Sequence, residues 1–251
     1  MTPTDPDDPT EPVQRSATEA VVAGLAGAAL GGATLTPVGL TPAGALVGGA
    51  NGAISGWRQV YDWRCAAGVA AFVLDSTWGL IGTTSGVGVL AAQCIRSDAG
   101  YHDELSRRQG YHVYAGGVRL KRGFAVTWGN VISNAAGVRG LDPATAAGRG
   151  RRALIRRHEA LHVWQSRLFG PLYPALYGGW FVAGAFAGLI AGLARGRDVY
   201  KAVETLAYYD NPFEVWAYRR DGNWPPRGAD ESLTWGRVEV KRPHAPDRFP
   251  A

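Results

Sequence analysis

Two histidines and a glutamate stand at a spacing that suits metal binding. Residues 158–162 read His-Glu-Ala-Leu-His and match the pattern H-E-x-x-H. On an α-helix, residues i and i+4 lie on one face, so His158 and His162 can both point at one metal ion. Glu159 then stands beside a metal-bound water and can accept its proton. With five histidines in 251 residues, about 0.003 such matches are expected by chance, so the pattern is specific.

The residues around this pattern favour the helix that it requires. Large apolar residues recur at helical spacing between Arg151 and Phe169, and Gly170-Pro171 ends the segment. The alternative interpretation is a helix that carries two structural histidines and no metal.

A longer match indicates a resemblance to a known family. Residues 158–165 read H-E-A-L-H-V-W-Q. This run resembles the H-E-x-x-H-V-x-Q of the peptidase-like domain found with extracellular contractile injection systems, and more broadly the zincin metallopeptidases. Arg156 departs from the zincin pattern, which has an uncharged residue two positions before the first histidine. The resemblance implies Zn²⁺ as the cofactor, Glu159 as the catalytic residue and a peptide or protein as the substrate.

A second run, downstream, resembles the E-x-x-A helix with which gluzincins supply their third ligand. Residues 211–218 read Asn-Pro-Phe-Glu-Val-Trp-Ala-Tyr. The resemblance, which covers about residues 118–218, implies that Glu214 binds zinc together with His158 and His162. Many gluzincins follow the alanine with an aspartate that contacts a ligand histidine, but Tyr218 stands there in this chain. Glu204 is the alternative third ligand.

A role in the transition state and a structural role are both open for four further residues: His112, Tyr208, Tyr209 and Tyr218.

The segment before the histidines predicts a small sheet. Residues 118–121 and 124–128 alternate around Arg122-Gly123 and are typical of a β-hairpin, with Val131 and Ile132 just after it. In the zincin fold a sheet precedes the active-site helix, and its edge strand pairs with the substrate backbone. The expected fold is therefore α+β and mostly helical, with a small sheet or hairpin, the H-E-x-x-H helix and apolar helices rich in glycine.

The first apolar block, residues 20–57, has no charged residue and divides into two arms at Thr36-Pro37 and Thr41-Pro42. Small residues recur every four positions in each arm, at Ala20, Gly24, Ala28 and Gly32, and at Gly44, Gly48, Gly52 and Gly56. Such stripes let helix backbones approach closely and are typical of glycine-zipper membrane segments. Each arm of about 14 residues measures about 21 Å as a helix, less than the roughly 30 Å of a bilayer core. A tilted or part-inserted hairpin is expected, and a flexible linker is the alternative.

Two further blocks are apolar. Residues 65–95 carry one charge, Asp75, which is either functional at apolar depth or a helix cap or turn. Residues 168–194 are uncharged and are the strongest candidate for a single membrane span. Within them the glycines at zipper spacing are Gly184, Gly188 and Gly192, and the aromatic residues that resemble an interfacial belt are Tyr173, Tyr177 and Trp180.

The position of the third block constrains its path, because it lies between His162 and Glu214. A single crossing would place Glu214 on the far side of the membrane, and two crossings need about 40 residues. Either residues 168–194 return to the same face as a re-entrant or surface-lying hairpin, or Glu214 is not the third ligand. We expect the returning segment, with a bend allowed by Pro171, Pro174 and Gly178-Gly179.

Four regions follow from these patterns: a disordered acidic tail (1–19), a membrane-associated glycine-zipper and apolar helical region (20–100), a zincin-like metal-site domain with the inserted segment 168–194 (101–220), and an irregular proline-rich tail (221–251). Trp224 and Trp235 are expected to pin the last of these to the body. Cys65 and Cys94 are expected to be buried thiols and not a disulfide.

Composition and charge indicate which class of partner the protein binds. The net charge is +5, and arginines flank apolar blocks, which favours lipid over nucleic acid as a partner. The sequence therefore predicts a zinc metallopeptidase at the cell membrane, with glycine zippers that could also form a homo-oligomer. One alternative is a non-catalytic membrane scaffold or pore with a degenerate zincin-like domain. Another is a soluble peptidase whose glycine-rich blocks form a buried helical bundle.

Overall fold

The computed structural model describes residues 15–121, 123–138 and 140–234. The architecture is α+β and mostly helical, with one small sheet, as the sequence predicts. The helices are α1 (Ala17–Leu35), α2 (Thr41–Trp57), α3 (Ala66–Ser76), α4 (Leu80–Cys94), α5 (Asp103–Ser106), α6 (Ala146–Leu154), α7 (Ala160–Phe169), α8 (Leu172–Ala194), α9 (Val199–Glu204) and α10 (Pro212–Arg220). The strands are β1 (His112–Val113), β2 (Val126–Trp128) and β3 (Val131–Ser133). Two π-helical turns, Ile155–Glu159 and Thr205–Tyr209, follow α6 and α9.

Helices α1 and α2 form a hairpin whose backbones touch through glycines. In α2 the predicted stripe of glycines from Gly44 to Gly56 faces α1. In α1 the closest approach runs through Ala23, Gly27 and Gly31, one position away from the predicted stripe. A Cβ added to Gly27 would collide with the carbonyl of Gly48. The arms are also longer than predicted, at 19 and 17 residues.

The base of the hairpin is tied to the body by charged residues. Arg15 forms an ion pair with Asp103 at 2.6 Å. Glu19 accepts hydrogen bonds from Trp63 and Arg108. The predicted disordered tail is therefore wrong for residues 15–19, and its remainder, 1–14, lies outside the described residues.

Asp75 lies in the last turn of α3 and does not cap a helix. It is 2% exposed and forms a two-pronged ion pair with Arg167 of α7, with N–O distances of 2.8 and 2.7 Å. Tyr61 donates a third hydrogen bond to the same carboxylate. This is one of several buried polar contacts between the glycine-zipper region and the predicted metal-site domain.

Both cysteines are free and exposed, so the expectation of buried thiols is wrong. The Cys65 sulfur sits at the N-cap of α3, where it accepts from the Gly68 amide. Cys94 ends α4.

The sheet differs from the predicted hairpin. Strand β3 is central, with β1 parallel on one side and β2 antiparallel on the other. The hairpin joins β2 to β3 through Gly129-Asn130, and residues 118–121 form no strand. Gly129 has φ +56°, and a Cβ there would strike the carbonyl of Gly82 in α4, so this turn requires glycine.

Helix α8 is one continuous helix of 23 residues without the predicted bend at Gly178-Gly179. The chain returns instead through α9 and the π turn after it, which pack on Gly184, Gly188 and Gly192. By length and composition, α8 and residues 17–38 could each cross a membrane, whereas α3 and α4 are bent by 86°.

Tyr173, Tyr177 and Trp180, the aromatic residues predicted to form an interfacial belt, are partly buried and contact protein. Trp180 donates to the Leu206 carbonyl, and the Tyr173 ring packs on Phe213. After α10 the chain is irregular to residue 234, as predicted. Trp224 is buried in an apolar cluster with Tyr209, Tyr218 and Ala229. Trp235 lies outside the described residues.

The contact between α8 and α9 can be tested with a pair of alanine substitutions. A Cβ on Gly188 would lie 2.5 Å from the Val203 Cα, whereas a Cβ on Gly178 meets nothing within 4 Å. Gly188→Ala should lower the free energy of unfolding by about 1–3 kcal/mol, because backbone must move. Gly178→Ala should raise it by up to about 1 kcal/mol through helix propensity. Thermal unfolding in detergent measures both, and equal effects would contradict the close packing.

Candidate metal centre

Three buried side chains converge at the centre of the helical body. His158 lies in the π turn before α7, His162 in the first turn of α7, and Glu214 in the first turn of α10. Glu214 Oε1 is 3.3 Å from His162 Nε2, and Glu214 Oε2 is 3.4 Å from His158 Nε2. One donor atom from each residue lies within 4.8 Å of the others. The sequence-predicted ligands are therefore brought together.

These distances suit a metal ion held by three protein ligands. A tetrahedral zinc ion with bonds of about 2.1 Å has ligand–ligand distances of about 3.4 Å. Glu214 Oε2 is buried and has no hydrogen-bond partner, so one lone pair is left for a cation. The donor set of two imidazoles and one carboxylate is one that catalytic zinc sites use. The residues present fit zinc.

Glu204, the alternative third ligand, is not part of this cluster. Its carboxylate pairs with Lys121 at 2.6 Å, and it ends α9 ten residues before Glu214. Glu214 is therefore the carboxylate that the fold presents to the histidines.

Each histidine is held by a second contact on its Nδ1 atom. The Nδ1 atom of His162 is 2.8 Å from Gln165 Oε1, and Gln165 in turn donates to the Phe213 carbonyl of α10. The Nδ1 atom of His158 is 3.0 Å from Asp221 Oδ2. Both contacts leave Nε2 facing Glu214, and such partners typically orient the ligands of metal sites.

Asp221 supplies the carboxylate contact to a histidine that many gluzincins take from the residue after the alanine, where this chain has Tyr218. It follows α10 as the C-cap residue, seven positions after Glu214. Seven residues are two helical turns, so the two carboxylates lie on one face. This spacing is the signal from which the contact could have been predicted. Tyr218 itself packs its ring against His158, with centroids 4.6 Å apart.

Glu159 does not join the three ligands but lies beside them. It is 6% exposed, and its Oε2 accepts a hydrogen bond from Thr127 at 2.7 Å. Thr127 is the middle residue of β2, so the sheet positions the predicted general base. Sequence reasoning missed Thr127 because the contact joins residues far apart in the chain.

Of the four further candidates, the three tyrosines (Tyr208, Tyr209 and Tyr218) lie near the cluster, whereas His112 does not contact it. A fourth tyrosine, Tyr177, contacts the cluster directly. Tyr177 of α8 donates to Glu214 Oε1 at 2.8 Å, and Asn211 donates to the Tyr177 carbonyl. His112 is fully buried and contacts Ser55 of α2 at 3.0 Å, which is a structural role. Burial raises the pKa values of Tyr208 and Tyr218, and so does the charge of Glu214. Both phenols therefore stay neutral.

The charges within the cluster stabilise each other when no metal is bound. Burial alone would lower the pKa of His158, but contacts with Asp221 and Glu214 outweigh it and raise that pKa to about 10. The pKa of His162 is also raised, because Glu214 outweighs burial. Burial would raise the pKa of Glu214, yet His162 and His158 lower it well below 4.5. A metal ion must therefore displace protons from the histidines.

These shifts predict how the stability of the metal-free protein depends on pH. The raised histidine pKa values contribute stability below pH 6.5, and that contribution is lost as pH rises toward 10. The lowered Glu214 pKa contributes above pH 4.5 and is lost in stronger acid. In the presence of a chelator, the melting temperature should therefore fall between pH 6.5 and 9 more steeply in the wild type than in Glu214→Gln. Parallel profiles would contradict the coupling.

Comparison of the chain with protein-family models, with curated proteins and with solved structures finds no match. The chemistry of the site is therefore inferred from its own residues and their geometry.

Proposed function

We propose that the protein is a zinc-dependent peptidase of the zincin type that works at the cell membrane. The observation that carries this proposal is the convergence of His158, His162 and Glu214 on one point, with Glu159 beside them. The three ligands would hold zinc. When bound, zinc supplies a Lewis acid that polarises a peptide carbonyl and lowers the pKa of water.

The protein's own residues would do the remaining work. Glu159 would accept a proton from the attacking water and pass it to the leaving amine. Thr127 would fix the Glu159 carboxylate through its 2.7 Å hydrogen bond. Asp221 and Gln165 would keep the histidine rings oriented and their Nδ1 atoms occupied.

Strand β2 is the element best suited to align a peptide substrate. It pairs with β3 on one side only and is an edge of the sheet. An extended peptide can add to such an edge through backbone hydrogen bonds. Thr127 lies on this edge strand and also contacts Glu159, so a peptide bound along β2 would pass beside the general base.

Membrane association is supported by the lengths and composition of two segments. Residues 17–38 and α8 are each apolar enough to cross a bilayer. Large apolar side chains stay exposed on both, among them Val22, Leu25, Phe186 and Ile190. Such a surface is costly in water and favours a lipid partner.

The alternative, a non-catalytic zipper scaffold or pore, draws less support from the packing. The glycine stripes of α1 and α2 face each other within one chain, and the stripe of α8 faces α9. These stripes are therefore covered within one chain and are not free to contact a second copy. A homo-oligomer would have to use other surfaces.

Metal content tests the ligand set. The purified wild-type protein should carry about one zinc ion per chain, and His158→Ala or Glu214→Gln should lose it because three protein ligands are needed. Glu204→Gln is the matched control, since Glu204 pairs with Lys121 away from the cluster. Elemental analysis after dialysis makes the measurement. Zinc retained in Glu214→Gln but lost in Glu204→Gln would show that Glu204, and not Glu214, is the third ligand.

Cleavage tests the catalytic step. Glu159→Gln should keep its zinc but cleave casein and internally quenched peptides about 10²–10⁴ times more slowly, because the general base is gone. Thr127→Val should lose less activity, since it only frees the Glu159 carboxylate. A wild-type protein that holds zinc and cleaves none of these substrates would favour the non-catalytic alternative.

A further inference from the structure

Helix α8 presents two opposite faces. One face holds Gly184, Gly188 and Gly192 and is covered by α9 and its π turn. On the other, seven of the eight large exposed apolar side chains of α8 fall within an arc of about 140°. They are 41–68% exposed and comprise Leu172, Leu176, Val182, Phe186, Leu189, Ile190 and Leu193. Phe181 is the one outside this arc. The exposed face extends along the whole helix, about 32 Å from Leu172 to Leu193.

We propose that this exposed face of α8 lies in the surface of an anionic bilayer, so that α8 is an in-plane helix and not a membrane span. The inference rests on the membrane association in the proposed function but does not require zinc.

The covered face of α8 argues against a crossing. The returning segment, residues 199–209, is about 16 Å long as a helix, too short to recross a 30 Å core. It touches α8 from Gly192 up to Gly184, near the middle of α8. This segment carries Lys201 and the Glu204–Lys121 ion pair. If α8 crossed a bilayer, the Glu204–Lys121 ion pair would lie within the hydrocarbon and Lys201 near its edge, where charged side chains are costly.

The charges at the end of α8 favour anionic lipid over a second protein copy. Arg195 directly follows the helix and is exposed, and Lys201 is exposed on α9, whereas the carboxylate of Asp198 between them caps α9 by accepting from the Lys201 amide. Tyr200, between them, is 69% exposed and suits a headgroup layer. Of the residue types enriched in protein interfaces (Tyr, Trp, Phe, Met and Arg), this apolar face carries only Phe186, and the rest of it is Leu, Val and Ile. An apolar face next to basic residues is the pattern of interfacial helices.

An in-plane α8 would also fix where the candidate metal centre lies. Tyr177 projects from the covered side of α8 and donates to Glu214 Oε1. The site would therefore stand about one helix diameter, roughly 10 Å, above the lipid. Peptide segments close to a bilayer surface would be within its reach.

Spin-label depth measurements on the full chain can test this orientation. Labels are attached to single cysteines in a Cys65→Ser, Cys94→Ser background, at Leu176→Cys, Val182→Cys, Phe186→Cys, Ile190→Cys and Leu193→Cys. In vesicles of phosphatidylcholine and phosphatidylglycerol, all five should lie at a similar shallow depth, about 5–10 Å into the interface. Leu120→Cys is the control, because it is 77% exposed outside α8 and should stay in water.

Two results would overturn the inference. A depth that is greatest near Val182 and returns to the surface at both ends would show a span. Labels that stay in water while broadening each other between chains would show that a second copy covers the face. The labelled positions are exposed, so misfolding is not expected, and thermal unfolding of each labelled chain checks this.

A charge comparison adds an independent measurement. Binding to vesicles should weaken when phosphatidylglycerol is left out, and the double variant Arg195→Gln, Lys201→Gln should lose most of that difference. Arg64→Gln is the matched control, because Arg64 is an exposed arginine that precedes α3 and not α8. Equal binding to neutral and anionic vesicles would overturn the headgroup assignment. Zinc content and peptide cleavage test the proposed function separately, so the two failures can be told apart.

Discussion

The candidate metal centre depends on the close contact between α8 and the segment that returns along it. After His162 the chain runs through a 23-residue helix before Glu214 can appear. The glycines of α8 leave no side chain between the two backbones, so residues 199–209 can lie directly against it. With larger residues in place of these glycines, the returning segment would be displaced outward, and α10 with Glu214 would move away from the histidines.

Burial makes the contacts around the cluster matter more than they would at a surface. His158, His162 and Glu214 are each less than 10% exposed, so an unpaired charge among them would be expensive. Each of the three side chains accordingly has an outer partner: Asp221 for His158, Gln165 for His162 and Tyr177 for Glu214. These partners come from three different elements. The geometry of the site is therefore a property of the whole helical body and not of α7 alone.

Local sequence patterns predicted the residues of the site, whereas the path of the chain between those residues became clear only from the structure. Spacing within one helix placed His158, Glu159 and His162, and a short second motif placed Glu214, because such patterns depend only on helix geometry. The bend at Gly178-Gly179 was wrong since the return is made by a later helix that carries charges and so escaped an apolar pattern. The strand at 118–121 was wrong because β3 pairs with β1, and strand pairing is not local. Thr127 was missed for the same reason.

The ion pair between Asp75 and Arg167 fixes the end of α7 against α3. Arg167 follows His162 by five residues on α7, and the next helix is α8. Removing one charge would leave the other buried and unpaired, which typically costs 3–5 kcal/mol, so this contact strongly specifies how α7 lies against α3. Helix α7 thus carries His162 in its first turn, directly after the π turn that holds His158, and a fixed anchor near its end, immediately before the apolar face of α8. Helix α8 in turn contacts the cluster through the hydrogen bond from Tyr177 to Glu214 Oε1, so α3, α7 and α8 together fix where Glu214 meets the histidines.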